Sequence, residues 1–167
     1  MKAVHLLLCV ACLVIPSTAC ADWQYTRWGM TRDQVIAASG GAAIDQAIDM
    51  SFMKDPALAQ HRADILADSP TLHAPHASGT RTFDAQFTFK EGGLARVTLK
   101  GLKGPECYAL LHDLQATYGK PFAHRDGSDA YEWQDIKKNN SVIFGIFAGL
   151  SCFVQYAPLQ TSNSIGL

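Results

Sequence analysis

The chain has 167 residues, with 14 basic and 15 acidic side chains for a formal charge of −1, and 48% of its residues are apolar. That length suits one domain with a real core, and the apolar share argues against disorder. The charge balance, which loses Lys2 if a leader is cut away, disfavours nucleic acid or an anionic membrane surface as partner, since both favour a basic patch.

The first stretch reads as a leader. Met1-Lys2 is a positive start, Val4 to Ile15 is an apolar run, and Pro16-Ser17-Thr18-Ala19-Cys20-Ala21 offers small residues for cleavage. This order predicts a secretory signal peptide over residues 1–21 with the cut before Asp22. The run is too short for a bilayer span, which needs about 20 residues, and no later segment is long and apolar enough to be a membrane helix. A single lysine in a short n-region points to bacterial export, so a periplasmic or secreted location is expected. Cys20 after Ala19 leaves a second option, a lipid anchor at Cys20, although Ser17 stands where a lipobox favours an aliphatic residue.

Cys9 and Cys12 leave with the leader, and Cys107 and Cys152 remain under either cut. An even pair in an oxidising compartment predicts a disulfide. It closes a loop of about 45 residues, which model entropy values at roughly 3–4 kcal/mol. Neither cysteine lies in a C-x-x-C pair, the usual redox spacing.

The expected domain covers residues 22–160, with a polar tail at 161–167. Trp23 to Trp28 alternates aromatic with polar residues. Thr31 and Gln34 have capping-box spacing, Met30 and Val35 that of a hydrophobic staple, and Gly40-Gly41 a stop, predicting a helix over Arg32 to Ser39. Residues 41–79 show little pattern. Asp55-Pro56 suits a helix start, and Ser69-Pro70 and Ala74-Pro75 read as bends. Phe83, Ala85, Phe87 and Phe89 alternate with polar residues, as do Ala95, Val97 and Leu99, predicting a hairpin around Glu91-Gly92-Gly93. Pro105 opens a helix whose stripe is Cys107, Leu110, Leu111, Leu114 and Tyr118, ended by Gly119. Three strands follow: one carrying Tyr131 and Trp133, a continuously apolar one over Val142 to Phe147, and one with Cys152, Val154 and Tyr156 on one face. The expected fold is α+β: an antiparallel sheet of four to five strands with two helices packed on one face.

Four stretches carry a resemblance: Trp28-Gly29-Met30-Thr31-Arg32-Asp33-Gln34-Val35, Gly93-Leu94-Ala95-Arg96-Val97, Tyr118-Gly119-Lys120-Pro121 and Cys152-Phe153-Val154-Gln155-Tyr156. They resemble small exported bacterial domains whose fold is similar to the outer-membrane assembly lipoprotein BamE and the β-lactamase-inhibitor-protein group. The resemblance covers Tyr25 to Tyr156, apart from 41–79. It implies two helices on an antiparallel sheet whose other face meets a partner protein. It transfers no functional residue.

Among chemical candidates, His73 and His76 stand three apart, with His61 and Asp64 upstream, a weak match to zinc or copper ligation that lacks a fixed third ligand. No metal or other cofactor is expected. His112-Asp113, His124, Asp126 and Asp129 have no fixed mutual geometry, and no nucleophile-elbow, zincin or P-loop motif occurs, so no enzyme is expected. Lys137-Lys138-Asn139-Asn140 reads as a solvated turn. Trp23, Tyr25, Trp28, Tyr131 and Trp133 form the candidate interface, because aromatics concentrate at binding surfaces. The expected function is a periplasmic module binding another envelope or secreted protein, as inhibitor, immunity-type protector or envelope accessory. The alternative is a small-ligand or lipid carrier with a pocket lined by Phe83, Phe87, Leu110 and Phe144. Intact mass of the exported protein should correspond to a chain beginning at Asp22; a mass that includes acyl chains on Cys20 would reverse that choice.

Overall fold

The computed structural model describes residues 23–46, 55–67, 69–124, 129–147 and 150–159. The leader with Cys20, Asp126, the turn at Ala148-Gly149 and the tail lie outside the described residues. The elements in chain order are α1 (Arg32–Ala38), β1 (Ile44–Asp45), a 3-10 turn (Pro56–Leu58), α2 (Ala59–Ala67), β2 (Leu72–Ser78), β3 (Arg81–Lys90) and β4 (Gly93–Lys100). Then follow α3 (Pro105–Tyr118), β5 (Ala123–His124), β6 (Ala130–Asp135), β7 (Asn140–Phe147) and β8 (Ser151–Pro158).

The expected α+β domain of four to five strands with two packed helices is corrected by this architecture. The strands form one eight-stranded antiparallel sheet in the order β1-β2-β3-β4-β8-β7-β6-β5, accompanied by three short helices. The extra strands had no visible period. β1 and β5 are two residues each. β2 carries Pro75, which reads as a bend in sequence. It is tolerated because β1 reaches only Leu72 and His73, so β2 is the outer strand from Ala74 onward. α2 takes little part in the core: Ile65 is half-buried and Leu66 is 41% exposed.

The order of the sheet is palindromic. A run of helix and four sequential strands, α1 with β1 to β4, is followed by a second, α3 with β5 to β8. The runs meet where β4 pairs antiparallel with β8, through Val97↔Tyr156, Thr98↔Gln155 and Leu99↔Val154. This is the arrangement a two-fold axis between β4 and β8 would generate. The segment with α2 is an insertion between β1 and β2 that the second run lacks.

One face of the sheet is the core. Leu72 and Ala74, Phe83, Ala85 and Phe87, Val97 and Leu99, Cys152 and Val154, and Val142, Phe144 and Ile146 alternate inward along their strands. Val35 of α1 and Cys107, Leu110 and Leu114 of α3 are buried in the same cluster. The capping box of α1 is present, with the Thr31 hydroxyl accepting from the Gln34 N–H and the Thr31 N–H donating to Gln34 Oε1. A register shift between Thr88 and Phe89 is a β-bulge that places Leu94 in the core, so that Ala95 faces outward instead. The hairpin closes on Glu91 and Gly92, whose φ values of 53° and 81° suit a type I′ turn.

The Trp28-Gly29-Met30 lead-in docks on the start of β4. The Gly29 N–H donates to Leu94 O at 2.9 Å, and the Leu94 N–H donates to Met30 O at 2.7 Å. Glycine suits position 93 here, since a Cβ would stand 3.1 Å from the Gly29 Cα and would push the lead-in back by a few tenths of an ångström. Trp28 Nε1 then reaches across to Asn140 Oδ1 in β7, at 2.9 Å, tying the first run to the second.

Cys107 and Cys152 form the expected disulfide, with Cα atoms 5.7 Å apart, and clip the start of α3 to β8. Both are buried. Replacing both by alanine should lower the unfolding free energy by roughly 3–4 kcal/mol in urea denaturation of the oxidised protein. An unchanged midpoint would show that the bridge contributes nothing.

Candidate functional site

Alternation assigns the opposite sheet face to a second set of residues. On the central strands these are Gln86 and Thr88 of β3, Arg96, Thr98 and Lys100 of β4, and Phe153, Gln155 and Ala157 of β8. At the β4–β8 seam the outward pair is Thr98 opposite Gln155, two side chains of modest bulk between longer neighbours. The result is a groove of two adjoining hollows, about 420 and about 300 Å³, that share Thr88, Arg96 and Gln155.

The walls differ in chemistry. Lys90, Arg96 and Lys100 line the hollows, and no carboxylate is among the described lining residues. Asp84, opposite Lys100 in register, is held by His73 at 3.1 Å and by the Gln86 amide at 2.8 Å. Phe147 and Phe153 stack at 5.5 Å on the other flank. Phe153 lies against Gly145, where a Cβ would stand 2.4 Å from its ring. Phe147 is 62% exposed and Leu150, just before β8, 72% exposed. Ser69 and Pro70, leading from α2 into β2, complete one end.

The five aromatic residues expected to form an interface are not gathered on one surface. Trp23 and Trp133 are buried in the core, and Trp133 Nε1 donates to Gly119 O at 2.9 Å. Trp28 and Tyr131 pack partly against the core, and Tyr131 stacks on His124 with centroids 4.4 Å apart. Tyr25 is 37% exposed. Trp23, Trp28, Tyr131 and Trp133 turn their hydrocarbon bulk toward the core, and Tyr25 does not.

His73 and His76 are also separated. Residues three apart on a strand point to opposite faces, so His73 meets Asp84 outside while His76 lies 5.2 Å from the Trp23 ring inside. They cannot share a metal. Among the described residues no three His, Cys, Asp or Glu side chains converge to hold one. His112 is exposed on α3, while its neighbour Asp113 accepts from Arg81 at 2.7 Å, which holds its carboxyl below the usual range. Lys137 and Lys138 are exposed in the β6–β7 turn as expected.

Sequence reasoning missed the groove because Arg96, Thr98 and Lys100 look like the ordinary solvated phase of an alternating strand. Only the pairing of β4 with β8, which no local pattern announces, sets them beside Gln155 and Phe153. No protein-family model matches the chain, and no curated protein or solved structure matches it. No helix among the described residues is long and apolar enough to cross a membrane.

Burial lowers the pKa of His76 below its ordinary 6.5. The unfolded chain therefore takes up this proton first as pH falls. The stability tied to the neutral imidazole is full above about 6.5 and is lost as pH drops through that value toward the folded pKa. Unfolding free energy should decline over this range, and His76→Phe should flatten that decline in urea titrations; an equal slope in the variant would contradict the assignment.

Proposed function

We propose that this chain is an exported, non-enzymatic binding module of the bacterial periplasm that docks another envelope or secreted protein on the outer face of its sheet. The observation that carries the reading is the groove across the β4–β8 seam, basic along one side and aromatic along the other. Export is supported by the order of charged, apolar and small residues at the N-terminus and by the Cys107–Cys152 bridge, which suits an oxidising compartment.

The lining narrows the kind of partner. Lys90, Arg96 and Lys100 are concentrated there although the chain as a whole is slightly acidic. A complementary surface is acidic with an apolar residue for the Phe147 and Phe153 flank. Such charge matching acts most strongly on association rate and on the choice of partner. Apolar area at Phe147 and Leu150 supplies the desolvated contact on which affinity depends.

Capture from an envelope extract of the producing cell tests this. The wild-type protein should retain a specific protein in a salt-sensitive manner. Arg96→Glu with Lys100→Glu should reduce retention by about tenfold or more, about 1.4 kcal/mol, and Thr98→Trp should block the hollow while leaving the core untouched. Failure to retain any specific protein, or equal retention by the charge-reversed variant, would overturn the reading.

A further inference from the structure

A second concavity lies on the core side of the same seam. It holds about 340 Å³, within the range of small-molecule sites. Phe83, Leu99 and Val154 form its floor, contributed by β3, β4 and β8. Leu110 and Leu114 of α3 stand on one side, and Trp23 with His76 on the other. The interior therefore offers hydrocarbon and flat aromatic surface. Polar groups make up about as much of the lining as apolar ones: Gln24, Ser78, Thr117, the His76 ring and the Tyr118 and Tyr156 side chains stand beside the hydrocarbon.

The rim has one charge of each sign. Arg81, at the start of β3, donates from Nη1 to Asp113 Oδ2 at 2.7 Å, and both residues line the opening. This pair uses one of the five guanidinium donors, and the carboxylate keeps acceptor capacity on both oxygens. A simple carboxylate at the rim would gain Arg81 but lie beside Asp113; a simple amine would gain Asp113 but lie beside Arg81. A head group carrying both charges satisfies both at once. It leaves its hydrocarbon part over the apolar floor.

We infer that this cleft is a binding site for a free α-amino acid with an aromatic or branched apolar side chain, its carboxylate on Arg81, its ammonium on Asp113 and its side chain between Leu110 and Trp23. The site is separate from the outer groove, because Leu99 and Val154 point to the opposite face from Thr98 and Gln155. It needs no partner protein, and its failure leaves the docking reading intact.

The test is an NMR titration of the oxidised mature protein with L-phenylalanine to millimolar concentrations. Parallel titrations use 3-phenylpropanoate, phenethylamine and glycine. Phenylalanine should shift resonances of Trp23, His76 and Leu110, and the three controls should bind at least about tenfold more weakly, since each lacks one charge or the apolar body. Arg81→Gln, a change at the rim, should weaken phenylalanine by a similar factor with an unchanged melting profile. Leu114→Phe should fill the cleft, and Arg96→Glu with Lys100→Glu should leave binding unaltered. Absence of phenylalanine binding, equal binding of phenylpropanoate, or full affinity in Arg81→Gln would each overturn the assignment.

Discussion

Three residue pairs at the β4–β8 seam hold the two halves of the sheet in one register, and the concavities on both faces lie across it. Val97↔Tyr156 and Leu99↔Val154 point into the core, and Thr98↔Gln155 points out between them. Side chains alternate with a period of two, so a slip of one residue on either strand would bring Thr98 or Gln155 inside and push Val154 or Leu99 into water. Burying an amide and a hydroxyl without partners costs on the order of 1–3 kcal/mol each. Exposing the apolar pair adds a further loss, so the register is strongly specified even though the paired length is short.

The seam does not stand alone. Trp28 bridges from the lead-in of the first run to Asn140 at the head of β7 in the second, across 112 residues of sequence. Gly29 and Met30 fix the start of β4 through two backbone hydrogen bonds, and a side chain at Gly93 would crowd that contact. The disulfide fixes α3 on β8 from the other end. The two halves are thus held by different means: the first by a docked aromatic segment, the second by a covalent link. Their helices differ too: α1 has seven residues and buries Val35, whereas α3 has fourteen and buries Cys107, Leu110 and Leu114.

Local pattern carried well where each element had enough residues to show a period. The capping box at Thr31, the alternation through Phe83, Ala85 and Phe87, the stripe on α3 and the pairing of Cys107 with Cys152 all appear in the structure. It failed where strands were two residues long, as at Ile44–Asp45 and Ala123–His124, and where Pro75 sat in an outer strand. The bulge after Thr88 changed which residue of Leu94-Ala95 turned inward, because an inserted residue reverses the phase without altering composition. Aromatic content alone did not separate core from surface: Trp23 and Trp133 are buried, and their indole N–H or ring edges find partners inside. The groove itself depends on two strands 50 or more residues apart in the chain, and no spacing in the sequence encodes that neighbourhood.

The palindromic sheet explains why both concavities occur at the same place. Each run builds its own hairpins with long outward side chains or aromatic stacks, such as Phe153 over Gly145 with Phe147 beside it. At the junction the outward pair is a threonine and a glutamine, so the surface dips between Arg96 and Lys100 on one strand and the phenylalanines on the other. On the inner side α3 must cross from β4, at the centre, to β5, at the far edge, before the second run can begin. Of the strands, α3 comes closest to β6. The space left beside Phe83 is bounded by Trp23 and His76 rather than by a second helix, because the 3-10 turn and α2 are spent on the excursion between β1 and β2. The two hollows are therefore consequences of joining two helix-and-sheet units edge to edge, with a polar pair outside the seam and an asymmetric helical cover inside it.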